Sequence, residues 1–293
     1  MTDFQKVVSE LIEQGLAVSE ISKQLDCPTS SVSSVIKALK LTVKKKLTIN
    51  NVNHNYFDNI DSDDKAYFLG FIIADGSISS GTNSHDGNGR FSINIMEEDS
   101  YLLEFLKLQL HSDNIIKIKP ENSNGVKHRK AQALFRWTSI PMKIKLETKY
   151  NIISNKTYDF DFKFPLDTIP IEFQGAFVRG FIDGDGSFES HKGVFNPSIV
   201  GTSKEWIIQI GNLVSQNTGL IYKIYETKGK TCTYYTLRWS AENKNKVEKI
   251  TKLYEFLYNN ATIFMKRKHE KIKSYLEYRA NQTRVKGVWK CNA

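Results

Sequence analysis

The sequence predicts an α+β fold built from two similar halves, preceded by a small all-α unit. A motif in residues 66–78 recurs in residues 176–188, at an offset of 110 residues. After each copy, apolar residues alternate with polar ones at the period of a strand, and later segments return to a helical period. Residues 4–40 carry helical periods. A repeat of this length indicates a duplicated domain.

These patterns divide the chain of 293 residues into five segments. We expect a helix-turn-helix domain at 1–45, a linker at 46–60, a first half-domain at 61–165, a second half-domain at 166–280 and a basic tail at 281–293. The stretch from Thr42 to Asn59, which includes most of this linker, carries Lys44, Lys45 and Lys46. These lysines suit contact with phosphates, although basic linkers are often simply solvated.

The helical unit resembles a helix-turn-helix of the resolvase or sigma type. Its third helix, from about Thr29, would turn Val32, Val35, Ile36 and Leu39 inward. The outward residues that could enter a major groove are Ser30, Ser31, Ser34 and Lys37. A small helical domain that docks elsewhere is the alternative, because short polar side chains on a helix are not diagnostic.

Each motif copy predicts an apolar helix that ends at Asp-Gly. Gly76 and Gly186 stand where a glycine in left-handed conformation commonly follows a helix. Small residues four positions apart lie on one helix face: Gly70 with Ala74, and Gly180 with Gly184. We therefore expect the two helices to pack closely about a pseudo-twofold axis.

This packing would bring Asp75 and Asp185 side by side at the C-terminal ends of the helices. Two carboxylates there would repel each other and meet the negative ends of two helix dipoles. A bound divalent cation would remove the conflict. The alternative, that Asp-Gly is only a turn, fits a single copy better than two matched copies.

The two stretches resemble the LAGLIDADG motif of homing endonucleases, with Phe68–Gly76 and Val178–Gly186 as its nine positions. The resemblance covers about residues 56–280. It implies two αββαββα half-domains in a pseudo-twofold arrangement, with saddle-shaped antiparallel sheets on DNA and metal-dependent cleavage of both strands. One position departs from the pattern: the first acidic residue is Asp183 in the second copy and Ile73 in the first.

The predicted strands present basic and polar side chains on one face. In the first half these are Arg90, Ser92, Asn94, Lys117, Lys119 and Arg136, and in the second half Lys223, Tyr225 and Arg238. Lys228 and Lys230 are expected in a turn that extends the same surface. Such a face can read a major groove and grip phosphates, although an amphipathic sheet often simply has a wet side.

Two lysines stand at similar distances beyond the motif aspartates. Lys156 follows Asp75 by 81 residues, and Lys268 follows Asp185 by 83. In the family that the motif resembles, a basic residue at this place lies near the scissile phosphate and assists hydrolysis. Lys266 is the second choice in the second half, and surface lysines without a role are the alternative.

Composition is compatible with a protein that binds a polyanion, although solvated basic faces are common, and it indicates no membrane span. The net charge is +9, and the part from Lys223 onward holds 17 Lys and Arg against 6 Glu. The three cysteines, Cys27, Cys232 and Cys291, are far apart and are expected as thiols. With no apolar run of roughly 18 residues and no signal-like N-terminus, a cytoplasmic protein of prokaryotic or phage origin is expected, with organellar origin left open.

The resemblance implies a monomeric, site-specific DNA endonuclease that makes a staggered double-strand break. Asp75 and Asp185, with the carbonyls of Ala74 and Gly184, would hold Mg²⁺, for which Mn²⁺ could substitute. Lys156 and Lys268 would assist catalysis. The alternative is a non-cleaving transcriptional regulator or an intron maturase, for which RNA would be the partner.

Overall fold

The computed structural model describes residues 1–14, 16, 18–41, 51–79, 89–122, 130–153, 163–191, 194–229, 231–240, 245–285 and 288–291. The chain forms two compact units, Met1–Ile49 and Asn50–Ala293. The division falls just beyond the expected end of the helical domain at residue 45.

The first unit contains three helices: α1 (Asp3–Glu13), α2 (Val18–Gln24) and α3 (Thr29–Ala38). Helix α1 begins at a capping box, in which Thr2 and Gln5 exchange hydrogen bonds between side chain and backbone. The apolar residues at helical spacing form a separate core of Val8, Leu11, Ile12, Ile21, Val32 and Val35. The expected all-α unit is therefore present.

The second unit contains two halves with the same order of elements. The first half consists of α4 (Asp63–Asp75), β1 (Gly76–Ile78), β2 (Arg90–Met96), α5 (Tyr101–Gln109), β3 (Lys117–Lys119), β4 (Gln132–Thr138) and α6 (Ile140–Tyr150). The second consists of α7 (Gln174–Asp185), β5 (Gly186–His191), β6 (Val194–Gly201), α8 (Lys204–Thr218), β7 (Ile221–Lys228), β8 (Thr233–Ser240) and α9 (Lys246–Tyr258), followed by α10 (Lys266–Ala280). Each half therefore reads αββαββα, as the resemblance implied.

Each half contains one four-stranded antiparallel sheet. The strand orders are β1-β2-β4-β3 and β5-β6-β8-β7, so equivalent strands occupy equivalent places. Strand β2 alternates as expected, with Phe91, Ile93 and Ile95 buried and the residues between them partly exposed. One apolar core runs through both halves of this unit.

Helices α4 and α7 pack against each other through their glycines. A Cβ atom on Gly70 would lie 2.1 Å from the carbonyl oxygen of Phe177, and one on Gly180 would lie 1.9 Å from that of Tyr67. Phe177 is the repeat equivalent of Tyr67, so the two contacts are related by the pseudo-twofold axis. The backbones touch because neither position carries a side chain.

The segment 51–60 differs from the expected linker. Val52, Tyr56, Phe57 and Ile60 are buried and belong to the core of the second unit. Their spacing follows neither a helix nor a strand, since residues 54–58 form turns and a bend. The first half-domain therefore begins before residue 61.

The C-terminal segment, which the sequence predicts only as a basic tail, contains regular structure. Strands β9 (Gln282–Val285) and β10 (Val288–Cys291) pair antiparallel in a separate two-stranded sheet. Among the helices of the described residues, none combines the length and the apolar character that crossing a membrane requires.

We expect Gly180→Ala to destabilise the second unit by more than about 3 kcal/mol, because its methyl group would overlap the Tyr67 carbonyl at the helix crossing. Unfolding in urea, followed by tryptophan fluorescence, measures this unit, since Trp137, Trp206, Trp239 and Trp289 all lie in it. Gly219→Ala is the control. Gly219 has φ +71° but no neighbouring atom closer than 3.5 Å to the new methyl group, so only backbone strain of about 1 kcal/mol is expected. Equal losses in the two variants would contradict the close crossing.

Candidate functional site

The two motif helices end at Asp75 and Asp185, and each chain then turns directly into a strand. The sequence predicts a left-handed conformation for the glycine after each helix, and this prediction is wrong. Gly76 has φ −79° and Gly186 has φ −85°. Glycine is needed there for space, since a Cβ atom would lie 2.5 Å from the Ile72 carbonyl oxygen at Gly76 and 2.7 Å from that of Ile182 at Gly186. The sharp exit from each helix leaves no room for a side chain.

The last turns of α4 and α7 are in contact. A Cβ atom placed on Gly184 would lie 2.3 Å from the Cβ atom of Ala74 and 3.4 Å from the carboxyl carbon of Asp75. Asp75 is half-buried and Asp185 is exposed. The four residues expected at the metal site therefore belong to the touching ends of two helices.

This seam offers oxygen donors of the kind that a hard divalent cation prefers. Two carboxylates and the backbone carbonyls at two helix ends have the chemistry of such a site. Within the described ranges, no group of three or more His, Cys, Asp or Glu side chains is placed to hold a metal ion. The donor set fits a cation that takes its other oxygens from backbone, water or a bound phosphate.

Lys268 belongs to α10, and its side chain lies at the C-terminal end of α7. It is 4% exposed, and its Nζ donates to the carbonyl oxygens of Ile182 at 2.6 Å, Asp183 at 2.7 Å and Gly186 at 2.7 Å. Burial lowers the pKa of Lys268 to about 8, although the charges of Asp183, Asp75 and Asp185 act in the opposite direction. The ammonium group thus caps the carbonyl end of the motif helix.

Lys266, the second choice for this position, lies elsewhere. Its Nζ stands 4.5 Å from the centre of the Tyr101 ring. Of the two lysines, Lys268 is the one at the Asp185 end of α7. Lys156, its expected counterpart in the first half, is outside the described residues.

Asp183 explains why the two motif copies differ. It is fully buried, and its Oδ2 accepts hydrogen bonds from the Tyr67 hydroxyl at 3.0 Å and from the backbone N–H of Met265 at 2.7 Å. Met265 precedes α10, so Asp183 caps the start of α10 while Lys268 caps the end of α7. Burial raises the pKa of Asp183 to about 6, and the hydrogen bond from Met265 opposes that rise. Ile73, its counterpart in the first copy, is buried in the apolar core.

Arg179 is a second buried group that the sequence reasoning missed. It is 1% exposed, donates to the carbonyl oxygens of Leu257 at 2.6 Å and Ile263 at 3.1 Å, and forms an ion pair with Asp63. The repeat contained a signal for this role: Arg179 is the equivalent of Leu69 in the first copy, so a charged residue replaces an apolar one in the motif helix. Arg179 fixes the loop before α10 to the start of α4.

Residues of the first half also bond to the start of α10. The Tyr101 hydroxyl donates to the Phe264 carbonyl oxygen at 2.9 Å and accepts from the Lys266 N–H at 2.7 Å. Asp99, which is buried, pairs with Arg267 at 2.9 Å. Lys268 is therefore positioned by contacts from both halves.

The register of the first sheet places the expected binding residues on one face. Ser92 lies opposite Arg136, and Asn94 and Lys117 both lie opposite Leu134. Arg90 and Lys119 follow at the same parity along β2 and β3. The structure thus brings together Arg90, Ser92, Asn94, Lys117, Lys119 and Arg136.

The second sheet repeats this arrangement with one exception. Arg238 lies between Ser198 and Lys223, and its guanidinium stands 5.6 Å from the centre of the Tyr225 ring. Lys228 does not join them: strand β7 extends through it, where we had expected a turn. By alternation Lys228 belongs to the opposite face, although it is exposed. Lys230 is outside the described residues.

In the first unit, α3 exposes Ser30, Ser34 and Lys37 and leaves Ser31 partly exposed. The Ser34 hydroxyl donates to the Ser30 carbonyl oxygen at 2.9 Å within the helix. The outward face is therefore as expected, with one hydroxyl hydrogen already bonded.

Two α+β halves that pair through glycine-bearing helices with acidic ends define a duplicated protein with one central seam. The family model described as a LAGLIDADG-like domain matches residues 172–251, within the second half. This match identifies a LAGLIDADG-like domain in the second half, and the first half repeats the same topology. Comparison with curated protein sequences finds no match.

Solved structures with similarity to the chain include homing endonucleases and WhiA. The homing endonuclease I-WcaI bound to its DNA recognition sequence is 16% identical, with 80% of this chain and 96% of that chain covered and a TM-score of 0.45. I-DmoI in complex with DNA and Mn is 17% identical, with coverages of 68% and 98% and a TM-score of 0.44. Full-length DUF199/WhiA from Thermatoga maritima is 14% identical, with coverages of 79% and 67% and a TM-score of 0.42. At these values the fold assignment depends on the chain's own strand order and helix pairing.

Asp183→Asn removes a carboxyl group whose pKa is raised from 3.8 to about 6 in the folded protein. Between these pH values the folded state binds more protons than the unfolded state, so the stability that Asp183 contributes falls as the pH rises. We expect the stability of the wild type relative to Asp183→Asn to fall by about 2 kcal/mol between pH 4 and pH 7. Urea unfolding across this range tests it, with Asp167→Asn, at an exposed position, as the control. Parallel pH profiles for wild type and Asp183→Asn would contradict the buried carboxylate.

Proposed function

We propose that the protein is a site-specific DNA endonuclease that makes a staggered double-strand break by metal-dependent hydrolysis. One observation carries the proposal: the acidic ends of α4 and α7 meet at the seam of two halves. Each half presents an arginine in the centre of the open face of its sheet, Arg136 in one and Arg238 in the other. Basic faces suit binding to DNA, and paired carboxylates suit phosphate chemistry.

Binding would use the open faces of the two sheets in the major groove. Arg136, Arg238, Lys117 and Lys223 are exposed and can donate to phosphates or to base edges. The first unit would add contacts through Ser30, Ser31, Ser34 and Lys37, which raises affinity because the units share one chain. Double-stranded DNA is the proposed partner, and the protein would act as a monomer because both halves are in one chain.

Asp75 and Asp185, with carbonyls of Ala74 and Gly184, would hold Mg²⁺ or Mn²⁺ at the seam. A bound cation would supply charge neutralisation for the scissile phosphate and activation of water. The charges of Asp75 and Asp185 favour the ammonium form of Lys268, so this buried ammonium would in turn offset part of their mutual repulsion. Lys156 is proposed for the same position in the first half.

The pseudo-twofold axis predicts one cut on each strand. The phosphates of opposite strands that face each other across a minor groove are staggered along the sequence, so the product would have overhanging ends. Each aspartate would contribute to cleavage of both strands or of one strand, depending on how the DNA lies across the seam. Strand-resolved cleavage distinguishes these two arrangements.

A second candidate function is a non-cleaving protein that binds DNA, or RNA in the case of a maturase. One observation favours it: the three hydrogens of the Lys268 ammonium are matched by three carbonyl oxygens within 2.7 Å. A lysine engaged in this way stabilises a helix end and has no hydrogen left for a phosphate. Selection from a randomised DNA library, scored separately for binding and for cutting, separates the two candidates. Bound sites without nicks in Mg²⁺ or Mn²⁺ would establish the second.

On a site selected by the wild type, Asp75→Asn and Asp185→Asn should each slow cleavage of at least one strand by about 100-fold or more. Their dissociation constants for DNA should change by less than about threefold, because neither carboxylate attracts phosphate by itself. Strand-specific end labels measure the cleavage, and binding is measured in Ca²⁺. Asp167→Asn should behave as the wild type. Unimpaired cutting of both strands by either seam variant would rule out the assignment.

A further inference from the structure

The two sheets share a reference point from which their open faces can be compared. In the first sheet Ser92 pairs with Arg136, and in the second Ser198 pairs with Arg238. The two arginines occupy equivalent places in the repeated segments Leu134–Trp137 and Thr236–Trp239. We call the residues that lie side by side across neighbouring strands a row. Because the strand orders agree, the row two residues before each arginine along its strand is also equivalent in the two sheets.

The next row differs in chemistry between the halves. In the first sheet it consists of Asn94, Leu134 and Lys117, of which Leu134 is buried and Lys117 is exposed. In the second sheet it consists of Val200, Thr236 and Tyr225. Val200 is 42% exposed and Tyr225 is 49% exposed. The second sheet therefore presents methyl groups and an aromatic ring where the first presents an amide and an ammonium group.

The surroundings of the row formed by Val200, Thr236 and Tyr225 favour DNA over an apolar protein as its partner. Arg238 and Lys223 form the adjacent row, and the Arg238 guanidinium lies against the Tyr225 ring. Glu189 is on the same face, at the edge strand, within 3.4 Å of the Asn196 amide. Positive charge beside the apolar row complements a phosphate backbone. The one apolar group that a base pair displays in the major groove is the thymine methyl.

We propose that the row Val200–Thr236–Tyr225 recognises a thymine methyl group in the half-site that the second sheet contacts. This inference rests on the proposed DNA binding and adds which base is read and by which residues. Val200 supplies the apolar contact, and Tyr225 orients Arg238 toward the neighbouring base pair or phosphate. The polar row of the first sheet, with Asn94 and Lys117, selects a different feature, so the target is not a palindrome.

Replacing single thymines by uracil tests the inference, because uracil keeps the base pair and lacks only the methyl group. The full-length protein is first used to select a DNA site, and the half-site of the second sheet is assigned by the protection that Arg238→Ala loses in a footprint. Binding is then measured in Ca²⁺ for the site and for each single uracil substitution. For the wild type, uracil at one or two positions in that half-site should weaken binding roughly threefold to fivefold per methyl.

Val200→Ser should bind the unmodified site more weakly by a similar factor and lose no further affinity with uracil at those positions. Ile171→Ser, at a position that is 83% exposed and outside both sheets, is the matched control and should keep the full uracil effect. Uracil effects in the other half-site should be the same for wild type and Val200→Ser. The inference is overturned if no thymine in the assigned half-site is sensitive, or if Val200→Ser is as sensitive as the wild type. Failure of the proposed DNA binding is a different result: the wild type would then select no DNA site. Failure of cleavage alone would appear as selected sites without nicks.

Discussion

The contact on which the rest of the structure depends is the crossing of two helix backbones without side chains between them. At Gly70 and Gly180 the carbonyl oxygens of Phe177 and Tyr67 occupy the space of a Cβ atom. Dispersion contacts between such closely packed backbones are numerous, and one methyl group would separate them. The crossing also sets the position of everything that follows the helices. The ends of α4 and α7, which carry Asp75 and Asp185, are in contact because both helices run on from this crossing.

A second set of contacts breaks the symmetry that the crossing creates. Asp183 caps α10 and Lys268 caps α7, so the two helices satisfy each other's terminal hydrogen-bonding groups. Arg179 and Tyr101 hold the same region against the first half. Burying these charges is costly unless they are bonded. Most of the partners are backbone groups at helix and loop ends, joined by the Tyr67 hydroxyl at Asp183 and by Asp63 at Arg179. The duplicated halves thereby form one unit in which the second half carries an extra anchored helix.

Much of this architecture could be predicted from the sequence because it depends on local periods and on the repeat. The glycine pairs, the acidic helix ends and the alternating strands were all visible, and the strand register brings Arg136 and Arg238 to equivalent places. The structural roles that sequence reasoning missed depend on long-range contacts. Arg179 and Asp183 bond to groups far along the chain, and no local period identifies such partners.

Two other differences have simple physical causes. Tyr56 and Phe57 lie in turns, so their burial leaves no periodic pattern in the segment expected as a linker. The glycines after the helices were assigned to a left-handed conformation because that is the common reason for glycine there, whereas Gly76 and Gly186 are needed for close approach. In both cases the residue type was informative, and the three-dimensional neighbours decided its role.

The most direct test of the account is whether the two helix ends can be joined. Cys27, Cys232 and Cys291 would be replaced by serine, and a disulfide would be sought in Asp75→Cys/Asp185→Cys under mild oxidation. Because a disulfide requires Cα atoms within about 7 Å of each other, the account predicts rapid cross-linking within one chain, detected by mass spectrometry of the digested protein. The pair Asp75→Cys/Asp167→Cys should not cross-link. Failure of the first pair to join, in a protein that remains folded by tryptophan fluorescence, would contradict the meeting of the two aspartates at one seam.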